Sequence, residues 1–165
     1  MNKLSLDWFD LQGAVSVLCR EITNSNWKPD YVIGITRGGL IPAVMISHYF
    51  NVPCNTLKVC LRDNQDSESN LWMADDSYSG KNILLVDDIN DSGATINWIL
   101  NDWQSSCHKT DPRWHSIWGN TTRFAVLYDN LSSDAKIKVS YSAREINKAE
   151  NDVWVDFPYE SWWCK

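Results

Sequence analysis

The sequence lacks the marks of a disulfide or zinc framework. Its five cysteines (Cys19, Cys54, Cys60, Cys107 and Cys164) are odd in number and include no C-x-x-C pair. That excludes a staple-built secreted scaffold and the usual zinc knuckle, and predicts reduced thiols. Cys107, His108 and His115 lie close along the chain, but their spacing matches no common zinc site. No apolar run approaches the roughly 20 residues of a membrane helix, and Met1 to Asp10 lack the basic-then-apolar order of a signal peptide. A cytoplasmic protein with no membrane partner is expected. Positive charge is short as well: 15 Lys and Arg stand against 21 Asp and Glu, a net charge of −6. This disfavours long-range attraction to nucleic acid, while leaving room for a local basic pocket for a phosphorylated small molecule. There is no internal repeat or low-complexity segment. The nearest thing to a linker, the polar stretch Ser105–Asn120, reads as an insertion between a helix and a strand. At 165 residues the chain is expected to form a single domain, 1–165.

Tryptophan, by contrast, is plentiful, with ten residues. Trp98, Trp103, Trp114, Trp118, Trp162 and Trp163 are expected mostly in the core or at a subunit interface, which predicts a homo-oligomer.

Hydrophobic spacing gives an ordered series of elements. Leu11, Ala14, Val15, Leu18 and Ile22 follow the period of an amphipathic helix. The run Tyr31–Thr36 (YVIGIT) is apolar almost throughout, as in a strand covered on both faces, and ends at Gly38-Gly39. A helix over Leu40–Phe50 follows, with Pro42 in its first turn where a missing N–H costs nothing. Val52-Pro53 leads to a strand near Asn55–Leu61. The polar segment Arg62–Ser79 predicts one long surface loop. Asn82–Asp87 (NILLVD) is a further buried strand, a helix covers about Ala94–Trp103, and another strand lies near Arg123–Tyr128. Strands and helices in this alternation predict an α/β domain with a mainly parallel central sheet flanked by helices, whose ligand sits beyond the carboxyl ends of the strands.

The segment that carries chemistry is Val86-Asp87-Asp88-Ile89-Asn90-Asp91-Ser92-Gly93-Ala94-Thr95. A buried strand ends in paired carboxylates and turns through small hydroxylated residues into a helix. The turn from Ser92 to Thr95 aims backbone N–H groups and hydroxyls at one point, with the helix dipole behind them, which suits a phosphate monoester. Asp87 and Asp88 can accept hydrogen bonds from a ribose diol or hold hydrated Mg²⁺. Either half alone is a common strand end or helix cap; together, in this order, they describe a site for a ribose phosphate.

This segment resembles the binding signature for 5-phosphoribosyl-1-pyrophosphate (PRPP) of the type I phosphoribosyltransferases: hydrophobic residues, an acidic pair and a small-residue phosphate loop, here Ile83 through Thr95. Thr36-Arg37-Gly38-Gly39 resembles the family's pyrophosphate loop, and Val153-Trp154-Val155-Asp156-Phe157-Pro158-Tyr159-Glu160 its C-terminal base-binding segment. These flanking motifs are most similar to the bacterial and archaeal xanthine-guanine and hypoxanthine branch. The resemblance implies the type I fold with a small C-terminal base-binding hood, and purine salvage by Mg²⁺-dependent transfer from PRPP to guanine, xanthine or hypoxanthine. It implies PRPP contacts from Arg37, Gly38, Asp87, Asp88, Asp91, Ser92, Gly93, Ala94 and Thr95, with Asp88 on the metal and Asp91 as the general base. Trp154, by itself readable as an ordinary strand residue, would stack on the base, and Val155 would bond its edge. The lysine that this branch places just after the strand at Phe124–Tyr128 to read the 6-oxo group is replaced by Asn130, which can donate a hydrogen bond but has no charge. Lys136 or Lys138 could substitute only with a shift in alignment. By position, 62–79 resembles the flap over the family's active site. A transferase for another base, or a PRPP-binding regulator without catalysis, are the alternatives.

Overall fold

The computed structural model describes residues 1–61 and 67–164. Five strands form a parallel sheet in the order β3-β2-β4-β5-β6: β2 (Tyr31–Thr36), β3 (Cys54–Lys58), β4 (Ile83–Asn90), β5 (Thr122–Asn130) and β6 (Tyr141–Ile146). Two more, β1 (Asn2–Ser5) and β7 (Val153–Asp156), pair in parallel as a separate ribbon. The helices are α1 (Trp8–Asn24), α2 (Leu40–Phe50), α3 (Leu71–Tyr78), α4 (Ala94–Ser106) and α5 (Trp114–Ile117), and the chain closes with a 3-10 turn at Trp162–Cys164. The expected α/β architecture with a mainly parallel sheet is therefore present. Among the described residues, no helix is long and apolar enough to cross a membrane.

Side chains alternate along each central strand between two cores, as the two-residue period of a strand requires. Ile33, Ile83, Leu85, Phe124 and Val126 pack with α3, α4 and α5. Val32, Leu84, Val86, Ala125 and Leu127 pack with α1 and α2. Both faces are covered, which accounts for the nearly continuous apolar runs in these strands. α1 starts at a reciprocal capping box: the Asp10 amide donates to Asp7 Oδ1 (2.8 Å), and the Asp7 amide donates to Asp10 Oδ2 (2.9 Å). α2 spans the expected residues, buries Pro42 in its first turn and ends at Asn51 in the left-handed region (φ 52°).

Two loop expectations are corrected. The single loop expected over Arg62–Ser79 contains α3 from Leu71 to Tyr78. Asn70 caps it by accepting the Met73 amide, and Met73, Ala74 and Ser77 turn inward. The polar average of the segment hid one short buried stripe whose inward face includes a serine, and Ser77 meets buried Thr122 at 2.6 Å. Residues 62–66 of the expected flap lie outside the described residues. The Ser105–Asn120 stretch is likewise no plain insertion: Cys107, Trp114 and Ile117 are core residues, and the Trp114 indole N–H donates to the Cys107 carbonyl (3.0 Å). Trp103 and Trp114 are buried, Trp98 and Trp118 pack against the same core, and Trp162 and Trp163 are exposed.

Trp103 is fully buried, and its indole N–H has no hydrogen-bond partner among the described residues. Trp103→Ala is expected to cost about 3–5 kcal/mol of stability in urea unfolding. Trp103→Phe should cost clearly less, because it leaves a smaller cavity and breaks no hydrogen bond.

Candidate active site

In the strand order β3-β2-β4, the chain leaves β2 toward one edge of the sheet and returns through β4 on its other side. The carboxyl ends of β2 and β4 thus form the switch point where a parallel sheet opens a crevice. The two segments singled out in the sequence lie there: 37–39 leaves β2, and 87–95 runs from the end of β4 through the turn into α4.

Gly38 and Gly39 allow the loops to touch. A Cβ on Gly38 would stand 2.0 Å from Asp88 Oδ2, and one on Gly39 would stand 2.1 Å from the Val86 carbonyl oxygen. The Thr36–Arg37 peptide bond is cis. Arg37 is exposed beside these glycines, where a guanidinium can meet an anion held by the loop.

Asp87 and Asp88 are half-buried. Asp87 Oδ1 accepts the Asp88 amide (2.9 Å), and Asp88 Oδ1 accepts the Ile89 amide (2.8 Å). Burial first, then the neighbouring Asp88 charge, pushes the Asp87 carboxyl well above the usual carboxylate range. Burial also raises Asp88, against hydrogen bonds that favour its charged form. Tyr159 joins this pair to the opposite loop: its hydroxyl lies 2.9 Å from the Gly38 carbonyl, to which it donates, and 3.4 Å from Asp88 Oδ2.

Beyond the carboxylates, Gly93 takes φ +87° at the entry to α4, and a Cβ there would stand 2.3 Å from the Ala135 amide nitrogen. Ser92 Oγ accepts the Ala94 amide (3.2 Å), and the Ser92 carbonyl accepts the Asp134 amide (2.9 Å). Ser92 and Ala94 are exposed and Thr95 half-buried, so the turn presents its amides and hydroxyls at the surface of the crevice. Among the described residues no cluster of three or more His, Cys, Asp or Glu could by itself hold a metal ion. The donor set suits instead a hard ion bound by one or two carboxylates and completed by ligand oxygens.

The hood is built differently from the C-terminal segment expected. β7 is paired along its length by the N-terminal strand β1, with Lys3 opposite Trp154 and Ser5 opposite Asp156. Lys3 Nζ lies 3.2 Å from Asp156 Oδ2, to which Ser5 Oγ also donates (3.4 Å). Phe157 is buried and stacks on Tyr159 with ring centroids 5.7 Å apart. Trp154 keeps a partly exposed ring, and Val155 is buried.

Asn130 is not directed into the crevice. Its carboxamide oxygen accepts the Ser132 amide (3.2 Å), the Ser132 hydroxyl (2.8 Å) and the Lys148 amide (3.0 Å), while its nitrogen donates to the Asp91 carbonyl (2.9 Å). The sequence passed over Lys148, whose ammonium lies 3.0 Å from Asp91 Oδ1 and 5.9 Å from the centre of the Trp154 ring. Nothing local marks it: it is one lysine in a polar stretch, and only folding brings it to Asp91. Lys136 and Lys138 are on the β5–β6 connection, and the Lys136 amide donates to Asn97 Oδ1 (2.8 Å).

A parallel sheet whose switch point carries an acidic pair, a small-residue turn and an apposed glycine loop offers the donors and acceptors that a nucleotide or sugar phosphate requires. The sequence profile of the phosphoribosyl transferase domain matches residues 9–161, and the chain belongs to that family. It is 32% identical over 99 residues to a xanthine-guanine phosphoribosyltransferase of Chromohalobacter salexigens, a match spanning 59% of this chain and 60% of that protein. It is 28% identical over 142 residues to the protein of that name from Cereibacter sphaeroides, spanning 83% of this chain and 71% of that one. The fold superposes on a purine phosphoribosyltransferase from Pyrococcus horikoshii with a TM-score of 0.68 at 22% identity, covering 98% of this chain and 96% of the other.

The raised Asp87 carboxyl predicts a conflict between stability and binding. A carboxyl whose folded pKa exceeds its unfolded one contributes stability below the unfolded value and loses it as pH rises through the folded value. At pH 7, Asp87→Asn is therefore expected to raise Tm by about 2–4 °C, a gain that shrinks toward pH 4 as the parent carboxyl is protonated. Calorimetry across that range checks both the sign and the trend.

Proposed function

We propose that this protein transfers the phosphoribosyl group of PRPP to a 6-oxopurine, releasing pyrophosphate. The observation that carries the reading is the apposition of the Gly38-Gly39 loop and the Asp87–Thr95 turn across the switch point. One side suits a diphosphate and the other a ribose 5-phosphate. The names of the related purine enzymes and the hood bearing Trp154 support a purine as acceptor.

In this reading the turn Ser92–Thr95 binds the 5-phosphate through backbone amides and hydroxyls at the start of α4. Asp87 and Asp88 receive the ribose hydroxyls, and these carboxylates, Asp88 foremost, would hold a Mg²⁺ ion. When bound, the ion would neutralise charge on the diphosphate. Arg37 and the amides of Gly38 and Gly39 hold the leaving diphosphate, as preorganised donors do for developing negative charge. The bond from the anomeric carbon to the diphosphate oxygen breaks and a purine nitrogen bonds to that carbon. Asp91 accepts the proton from the imidazole ring of the base. Trp154 stacks on the base, and the Val155 backbone addresses its edge.

The test is pyrophosphate release from PRPP and Mg²⁺ with guanine, xanthine, hypoxanthine, adenine, uracil or orotate supplied singly. Release with oxopurines is expected; release with adenine or a pyrimidine alone would replace the 6-oxopurine assignment, and PRPP binding without turnover would indicate a regulator. Asp91→Asn should lower kcat by about 10²–10⁴ with PRPP binding retained. Unchanged turnover would remove Asp91 from the reaction.

A further inference from the structure

We propose that Lys148, and not Asn130, distinguishes an oxopurine from an aminopurine in this site; the assignment rests on the purine reading above. Asn130 is nearly fully buried, and its carboxamide is occupied in joining two backbones, donating to the Asp91 carbonyl and accepting from the Lys148 amide. It thereby fixes the start of the β6–β7 connection beside the turn that carries Asp91.

From that anchor the Lys148 side chain runs inward. It is 17% exposed, its ammonium lies 3.0 Å from Asp91 Oδ1, and the Trp154 ring centre is 5.9 Å away. An ammonium has three donors, so its bond to Asp91 leaves others for a ligand. In a 6-oxopurine, the imidazole nitrogen N7 and the exocyclic oxygen lie side by side on one edge. A base stacked on Trp154 with its imidazole edge toward Asp91 brings that oxygen to the neighbouring ammonium.

The two side chains then form one reader, the carboxylate accepting from ring N–H and the ammonium donating to the oxo group. In adenine the same position carries an amino group, also a donor, which faces the cation without a hydrogen bond and with opposing polarity. A partly desolvated cation discriminates strongly at such a position, since mismatch leaves it without a ligand partner. The charge that Asn130 lacks is thus supplied from another loop, and Asn130 holds that loop in place.

The experiment measures calorimetric affinities of GMP, IMP and AMP for the parent protein, Lys148→Met and Lys148→Arg, with thermal melts to confirm folding. Lys148→Met is expected to weaken GMP and IMP by about 10- to 100-fold, the range for a hydrogen bond to a charged group, and to leave AMP within about threefold. Lys148→Arg should retain the oxopurine preference, and decides the matter should the methionine variant not fold. Equal weakening of all three nucleotides by Lys148→Met would show a positioning role only, and unchanged affinities would show none; either overturns the assignment. If Lys148→Arg has to decide, loss of its preference overturns it as well. A parent protein that prefers AMP, or binds none of the three, would overturn the 6-oxopurine reading and this assignment with it. A parent that prefers GMP and IMP with a methionine variant that keeps the preference overturns this assignment alone.

Discussion

The site depends on holding two adjacent carboxylates, Asp87 and Asp88, half-buried at the end of a central parallel strand. Burial opposes the charge of both, and the Asp88 charge further opposes that of Asp87, so the surrounding elements must hold the backbone where those side chains would not choose to be ionised. Strand β4 does so from below, with Ile83 to Val86 packed on both faces. The glycine loop after β2 presses from the side, at a distance that admits no side chain on Gly38. Local amides and the Tyr159 hydroxyl supply hydrogen bonds from above. An arrangement that disfavours its own negative charge is electrostatically prepared for hydroxyl donors or a cation.

The hood and the sheet are mechanically one unit at this point. Tyr159 ties the C-terminal segment to the Gly38 carbonyl, and its ring stacks on buried Phe157. β7 is in turn held by β1, with Lys3 directly opposite Trp154. Position of the exposed Trp154 ring therefore follows from both termini of the chain, while Asn130 connects the Asp91 turn to the segment leading into β7. A change at Tyr159 or Asn130 reaches the crevice through side-chain hydrogen bonds to backbone atoms of the site loops.

Much of the fold was legible in the sequence because its signals are local. YVIGIT and NILLVD are nearly all apolar since both faces of β2 and β4 are covered, and α2 is marked at its start by Pro42. The motif from Ile83 to Thr95 is contiguous, so its strand, acidic pair and turn could be read without knowing what lies opposite. The segment 71–78 failed for a related reason: its inward face mixes Met73 and Ala74 with Ser77, and the serine's burial is compensated by Thr122, 45 residues away. No window of neighbouring residues contains that partner.

By itself, then, the sequence determined the alternating α/β order, the parallel sheet and the residues at its switch point, because period and short motifs are properties of adjacent residues. The tertiary structure alone decided that β1 completes the hood, that Asn130 is an anchor, and that Lys148 meets Asp91. Each of these rests on contacts between segments far apart in the chain, such as Ser5 with Asp156 and Asn130 with Asp91. Such pairings leave no pattern in the sequence, since the geometry that brings the partners together exists only once the strands between them have packed.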